Sequence, residues 1–171
     1  WGERSASLAL SVPGEHNVLN AAAAWVAGIE CGLEPQAIAE GLGEFTGAAR
    51  RFEARGQVGT RRLFDDYAHH PTEVEAAIRE AHVVAGDGEV SVVFQPHLYS
   101  RTADFYEEFG DVMTLADIAV INDVCGDRED PVPGVTGQLV VDAARRHGAR
   151  DVHYVVDKYD LPAALNQIAR P

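Results

Sequence analysis

The chain has 171 residues, 46% of them hydrophobic, and a formal charge of −13. That length suits one domain, or one domain plus part of another, with ample apolar material for a core. The acidic balance argues against nucleic acid or an anionic membrane as a partner, and no apolar run reaches spanning length.

Lys158 is the only lysine among 14 basic residues, so lysine-dependent chemistry has almost no place in this segment. Cys31 and Cys125 stand far apart with no CxxC, a pattern that fits a reduced, cytoplasmic protein. No signal-peptide pattern is present. Trp1 opens directly into a strand-like run, and Pro171 follows a helix where an α/β unit would continue into another strand. The chain therefore reads as a segment of something longer.

In chain order, alternation predicts a strand over 5–12, and Pro13-Gly14 a turn. Asn17 is placed to cap a helix running to about Cys31, with Gly32 as its stop. The interior of that helix, 21–27, is apolar nearly all round, which predicts a well-buried element. A second helix runs from Pro35 to about Leu42, with Ile38, Ala39 and Leu42 on one face. The glycine-rich stretch 41–47 and Arg50-Arg51-Phe52-Glu53 mark a change of character. A domain boundary is expected near 46–50.

Beyond it, strands alternate with helices. A hairpin around Gly59 joins 53–58 to 60–65, and a helix spans 71–84 with Pro71 at its first position. A strand at 90–94, a helix at 102–113 and a strand at 118–123 follow. The loop 125–134 leads to a helix at 136–147, capped by Thr136 and stopped by Gly148. A strand at 152–156 and a helix at 161–169 complete the set. This order implies an α/β fold with a mostly parallel, doubly wound, Rossmann-like sheet, helices on both faces and right-handed crossovers.

Functional groups concentrate where strands end, the edge at which α/β sheets bind ligands. The densest stretch is 65–73, with two carboxylates, Tyr67, His69 and His70 between a strand and a helix. A carboxylate there suits a ribose diol, and alternation suggests that one of Asp65 and Asp66 faces the crevice while the other turns away. The two histidines are more often caps than ligands, and no third ligand stands at a metal-site spacing. Asn17 and Asn20 share a helix face and offer amides that match a purine edge, although spacing alone favours a cap plus a surface residue, because Asn is a common cap. Arg51 at the junction suits a phosphate, or is simply solvated beside Phe52. In 95–101, His97 and Arg101 suit a small carboxylate; otherwise Ser100 or Thr102 merely caps the next helix. The charged loop after Asp123 is either a binding loop or solvated, and Cys125 reads as an inert thiol. No Gly-x-x-x-x-Gly-Lys-Ser/Thr occurs, so the segment is no self-contained ATPase.

The words PGEHNVLNAAAA (13–24), RRFE (50–53), DDYAHHPTE (65–73), FQPHLYSRT (94–102) and EDPVPGVTG (129–137) together resemble the Mur ligases, and within them the alanine-adding branch. The resemblance implies that residues 1–48 are the tail of a central ATP-binding domain. Residues 49–171 would be the C-terminal domain, its final strand missing. It implies an ATP-dependent ligase joining L-alanine to UDP-N-acetylmuramate through an acyl phosphate, with magnesium held largely outside this segment, in peptidoglycan precursor synthesis. The isolated segment is expected to be inactive, because the phosphate loop would lie upstream. By the same resemblance His16, Asn17, Asn20, Arg51 and Asp66 bind ATP, and Tyr67, His69, His97 and Arg101 receive the amino acid. Leu98 and Cys125 depart from the family's usual arginine and tyrosine. Another Mur-type ligase, such as a muramyl-peptide recycling ligase, or a non-catalytic nucleotide- or amino-acid-binding α/β module, stands as the alternative.

Overall fold

A computed structural model describes residues 5–168, so Trp1, Ala169 and Pro171 lie outside the described residues. The chain forms two compact units, residues 1–67 and 68–171.

In the first unit, residues 5–12 alternate between exposed and half-buried side chains but form no strand. The expected alternation is present, yet a strand also needs a partner for its backbone groups. Here the segment is tethered instead by Ser11, whose hydroxyl donates to the Gly43 carbonyl at 2.7 Å. Helix α1 spans Glu15–Glu30, and its N-cap is Gly14 rather than Asn17. Gly14 has φ 98° and Gly32, just past the end, φ 80°, both in the region open to glycine. Only Ala21 and Ile29 of α1 are buried, while Val18 and Leu19 are 58% and 67% exposed. The apolar run thus secures helix formation without the deep burial it suggested. Helix α2, Pro35–Glu44, packs against α1. Gly28 permits that contact, since a Cβ there would lie 2.8 Å from Ile38 Cδ1.

Strands β1 (Glu53–Val58) and β2 (Arg61–Asp65) form the expected antiparallel hairpin, with a register shift between Ala54 and Gly56.

The second unit alternates as predicted: α3 (Pro71–Ala85), β3 (Ser91–Phe94), α4 (Tyr99–Met113), β4 (Ile118–Asn122), α5 (Gly137–Arg146), β5 (Val152–Val155) and α6 (Leu161–Ile168). Its three strands are parallel in the order β3-β4-β5. This is the α/β class read from the sequence. All five residues of the central strand β4 are buried, which is why 118–122 is a continuous apolar run ending in Asn122. Val92, Phe94, Ala119, Ile121 and Val152 meet Val74 and Ile78 of α3, Phe109 and Met113 of α4, and Val140 and Val141 of α5 in one core. The crossover helices α4 and α5 therefore lie on one face, because the strand order does not reverse within these three strands, and α3 packs into the same core. Among the described residues no helix is long and apolar enough to cross a membrane.

Candidate functional site

In the first unit the site residues are built around a strained turn. Arg50 and Phe52 have φ of 57° and 47°, a conformation that costs a non-glycine residue about 1 kcal/mol or more. A set of contacts from the end of β2 offsets this. Phe52 N–H donates to the Asp66 carboxylate at 2.7 Å, and Tyr67 N–H donates to the Arg50 carbonyl at 2.8 Å. The Arg50 guanidinium lies 4.7 Å above the Tyr67 ring and 3.6 Å from the Asp65 carboxylate. Phe52 stacks on Phe64, with ring centres 4.6 Å apart. Arg50 N–H also donates to Glu53, and that bond, followed by the one from Arg55, holds the Glu53 carboxyl below its ordinary range.

Both aspartates are thus turned to residues 50–52, one to a side chain and one to a backbone N–H. Asp66 lies just past the last residue of β2, where strand alternation no longer sets side-chain direction. Arg51, in the same turn, is exposed and its N–H donates to the Ala48 carbonyl at 3.1 Å. His16, Asn17 and Asn20 occupy the first two turns of α1, with His16 and Asn20 exposed. Asn17 stands at the third helical position, and its amide donates backward to the Pro13 carbonyl at 2.6 Å. That corrects its role as cap: the helix starts three residues earlier than its spacing suggested.

In the second unit the groups gather at the carboxyl ends of the parallel strands. The Gln95 amide donates to Asn122 Oδ1 at 3.0 Å and to the Asp123 carbonyl at 3.3 Å. The Asn122 amide in turn donates to the carbonyls of Val155 and Val156. A row of amides therefore ties the ends of β3, β4 and β5 together, with Asn122 only 1% exposed. Beyond it the parallel pairing continues as a bridge between His97 and Cys125. Cys125 N–H donates to the Pro96 carbonyl at 2.8 Å, and Leu98 N–H to the Cys125 carbonyl at 2.9 Å.

Leu98, with φ 72°, then turns the chain into α4, which starts at Tyr99. His97 and Arg101 flank this turn. His97 Nε2 stands 4.0 Å from the Asp127 carboxylate, beyond hydrogen-bond reach. Arg101 is half-buried, and its Nη1 is buried with no hydrogen-bond partner among the described residues. Such a donor carries a desolvation cost that an incoming acceptor would relieve.

His69 and His70 open α3. Glu73 accepts the N–H groups of both, at 3.0 and 3.2 Å, and its carboxylate lies 3.4 Å from His69 Nδ1. His70 is the N-cap and its ring meets Phe105 edge-on at 5.0 Å. The capping carboxylate, Glu73, was signalled by its place three residues after the N-cap.

Two other anchoring carboxylates had no local signal. Glu129 accepts hydrogen bonds from the Ser100 N–H, at 2.8 Å, and from the Ser100 hydroxyl. Those bonds, opposed by desolvation and aided by the Tyr99 N–H and the Arg101 charge, hold its carboxyl below the usual range. Neither Ser100 nor Thr102 caps α4 with its own side chain, and Thr102 donates back to the Leu98 carbonyl at 2.8 Å. Asp123 Oδ1 accepts the N–H groups of Val124 and Gly137, both at 2.9 Å. It does the work expected of Thr136, which sits at the N-cap without a side-chain capping bond. Burial first, and the Asp123 carboxylate second, push the Tyr154 phenol up to about 12.

Residues 50–171 match the family model described as Mur ligase, glutamate ligase domain. The chain is 57% identical over 163 residues to a UDP-N-acetylmuramate–L-alanine ligase of Kineococcus radiotolerans, covering 95% of this chain and 34% of that protein. It is 49% identical over 172 residues to the enzyme of the same name from Cutibacterium acnes, covering all of this chain and 36% of that protein. Its structure aligns with the crystal structure of the UDP-N-acetylmuramate–alanine ligase of Thermotoga maritima with a TM-score of 0.76 at 29% identity, over 95% of this chain and 34% of that one. A murein peptide ligase of Psychrobacter arcticus shares the fold, with a TM-score of 0.72 at 23% identity, over 99% of this chain and 35% of that one. The chain thus spans about a third of the length of the relatives it matches.

Proposed function

Because the chain belongs to the Mur ligase family, we propose that it is the carboxyl-terminal part of an ATP-dependent ligase that adds L-alanine to UDP-N-acetylmuramate. Residues 49–171 would be its C-terminal domain and 1–48 the tail of its central ATP-binding domain. The enzyme would work in the cytoplasm on a peptidoglycan precursor. The observation that carries the reading is Arg101: a buried guanidinium nitrogen without an acceptor among the described residues, at the carboxyl edge of a parallel sheet, in a chain whose relatives at 49% and 57% identity bear that name.

The chemistry assigned to these residues is positioning and charge stabilisation. ATP would convert the muramyl carboxylate to an acyl phosphate, and the amine of alanine would attack its carbonyl and expel phosphate. Arg101 would take the amino acid's carboxylate in a charge-assisted pair, with His97 and His69 as the other members of that group in the second unit and Tyr67 assigned to the amino acid by the resemblance alone. Asp66 would accept the ribose hydroxyls. Its carboxylate accepts the Phe52 N–H, and a carboxylate's two oxygens can each accept more than one hydrogen bond. Asn17 and Asn20 would meet the adenine beside His16. Part of the Asn17 donor capacity goes to Pro13, so Asn20, exposed on the same face, is the better fit. Arg51 would reach a phosphate.

Magnesium is implied for the family's ATP step. Among the described residues no three His, Cys, Asp or Glu side chains converge to hold a metal ion, so no step assigned to this chain runs through it.

The test is a pair of variants in the full-length ligase, with phosphate release as the readout. Arg101→Ala should raise KM for alanine by about 10- to 100-fold, the worth of one charge-assisted pair. Asp66→Ala should raise KM for ATP. The reverse pattern would overturn these roles, and faster turnover with a tripeptide than with alanine would favour a recycling ligase.

A further inference from the structure

We infer that Glu129 is a positioning residue for the amino-acid site, holding the backbone from which Arg101 reaches the substrate. The inference rests on the reading of Arg101 given above. Helix α4 opens in an unusual way: its N-cap is Leu98, apolar and at φ 72°, with no side-chain cap of its own. A helix start of this kind leaves several N–H groups without intrahelical acceptors. Glu129 supplies the acceptor from 29 residues away, taking both the N–H and the hydroxyl of Ser100, the residue before Arg101.

The loop that delivers Glu129 is itself anchored. At one end Asp123 holds the N–H groups of Val124 and Gly137, and Cys125 is bonded to Pro96. In its middle Gly126 lies against Tyr99, the first residue of α4. A Cβ at that position would come within 2.5 Å of the Tyr99 ring and 2.9 Å of the Glu129 carbonyl. The loop, the helix start and the carboxylate therefore form one interlocked piece. Glu129 spends its hydrogen bonds on Ser100, while the buried Nη1 of Arg101 has no acceptor among the described residues. Its negative charge sits close enough to Arg101 for the two to sense each other. The backbone is held by one charge and the guanidinium is kept for an external carboxylate.

The experiment compares Glu129→Ala, Glu129→Gln, Arg101→Ala and the Arg101→Ala/Glu129→Ala double variant in the full-length ligase. Glu129→Ala should raise KM for L-alanine by about 10-fold, the scale of a lost helix cap, with KM for ATP and kcat changed less than about 2-fold. Glu129→Gln should show a smaller rise, because its amide oxygen still accepts the Ser100 N–H. The double variant should be no worse for alanine than Arg101→Ala alone, since both act through one contact. If Arg101→Ala raises KM for alanine while neither Glu129 variant does, the positioning role is overturned and the amino-acid reading survives. An equal loss for all three substrates with a lowered melting temperature would likewise reduce Glu129 to a stabilising cap. If Arg101→Ala leaves KM for alanine unchanged, the amino-acid reading falls and this inference with it.

Discussion

The carboxylate of Asp66 accepts a hydrogen bond from the backbone N–H of Phe52, 2.7 Å away and 14 residues earlier in the chain. It ties the end of β2 to a turn in which Phe52 and Arg50 both hold left-handed backbone conformations. A residue proposed to bind ribose therefore also secures the turn that carries Arg51.

Asp66 should accordingly show two separable effects. Asp66→Ala removes the acceptor and should destabilise the first unit by about 1–3 kcal/mol, the cost of a half-buried donor left without its charged partner. Asp66→Asn keeps an oxygen for the Phe52 N–H and should cost less than half of that. Both tryptophans lie within residues 1–25, so urea denaturation followed by tryptophan fluorescence reports on this unit. Equal stability of the two variants would rule out the tie as described.

Two glycines should respond in opposite directions to alanine. At Gly110, on the face of α4 that meets α5, a Cβ would lie 2.4 Å from Ala143 Cβ and 2.6 Å from the Ala144 nitrogen. The neighbouring helix must move, and Gly110→Ala should cost about 3 kcal/mol. At Gly41, within α2, a Cβ meets nothing within 4 Å and φ is not in the left-handed region. Gly41→Ala should stabilise by about 0.5–1 kcal/mol through reduced unfolded-state entropy. Circular dichroism during urea denaturation checks the first, and tryptophan fluorescence the second.

Tyr154 links stability to alkaline pH. Its phenol is pushed from the ordinary 10 up to about 12 by burial and then by Asp123. The folded state therefore keeps a proton that the unfolded chain loses first. The associated stability is fully present below pH 10 and is lost as pH rises through about 12. Phenolate absorbance should show one of the five tyrosines ionising later than the rest. Tyr154→Phe should remove that late component, and a titration unchanged by the substitution would contradict the assignment.

The alternating order of strands and helices in the second unit was legible because each element announces itself locally. The buried run 118–122, the proline at the start of α3 and the glycine after α5 are signals carried by a few neighbouring residues. The strand expected over 5–12 failed for the complementary reason. Its alternation is real, but a strand is defined by a partner that no local pattern can supply. The caps divide along the same line: Glu73 sits three residues from His70 and could be read, whereas Glu129 and Asp123 act on N–H groups 29 and 14 residues distant.

What the sequence determined by itself is the family, the α/β class and the places where polar groups collect, since motif words, periodicity and turn residues are all short-range. What only the tertiary structure decided is which of those groups are occupied and by what. It turned Asp65 and Asp66 toward the 50–52 turn, spent Glu129 on the start of α4, and left a buried nitrogen of Arg101 without an acceptor among the described residues. Those outcomes depend on backbone N–H groups and burial brought together across the fold. The physical reason is that a hydrogen-bonding group commits to whatever partner folding places within about 3 Å, however far away it stands in the chain.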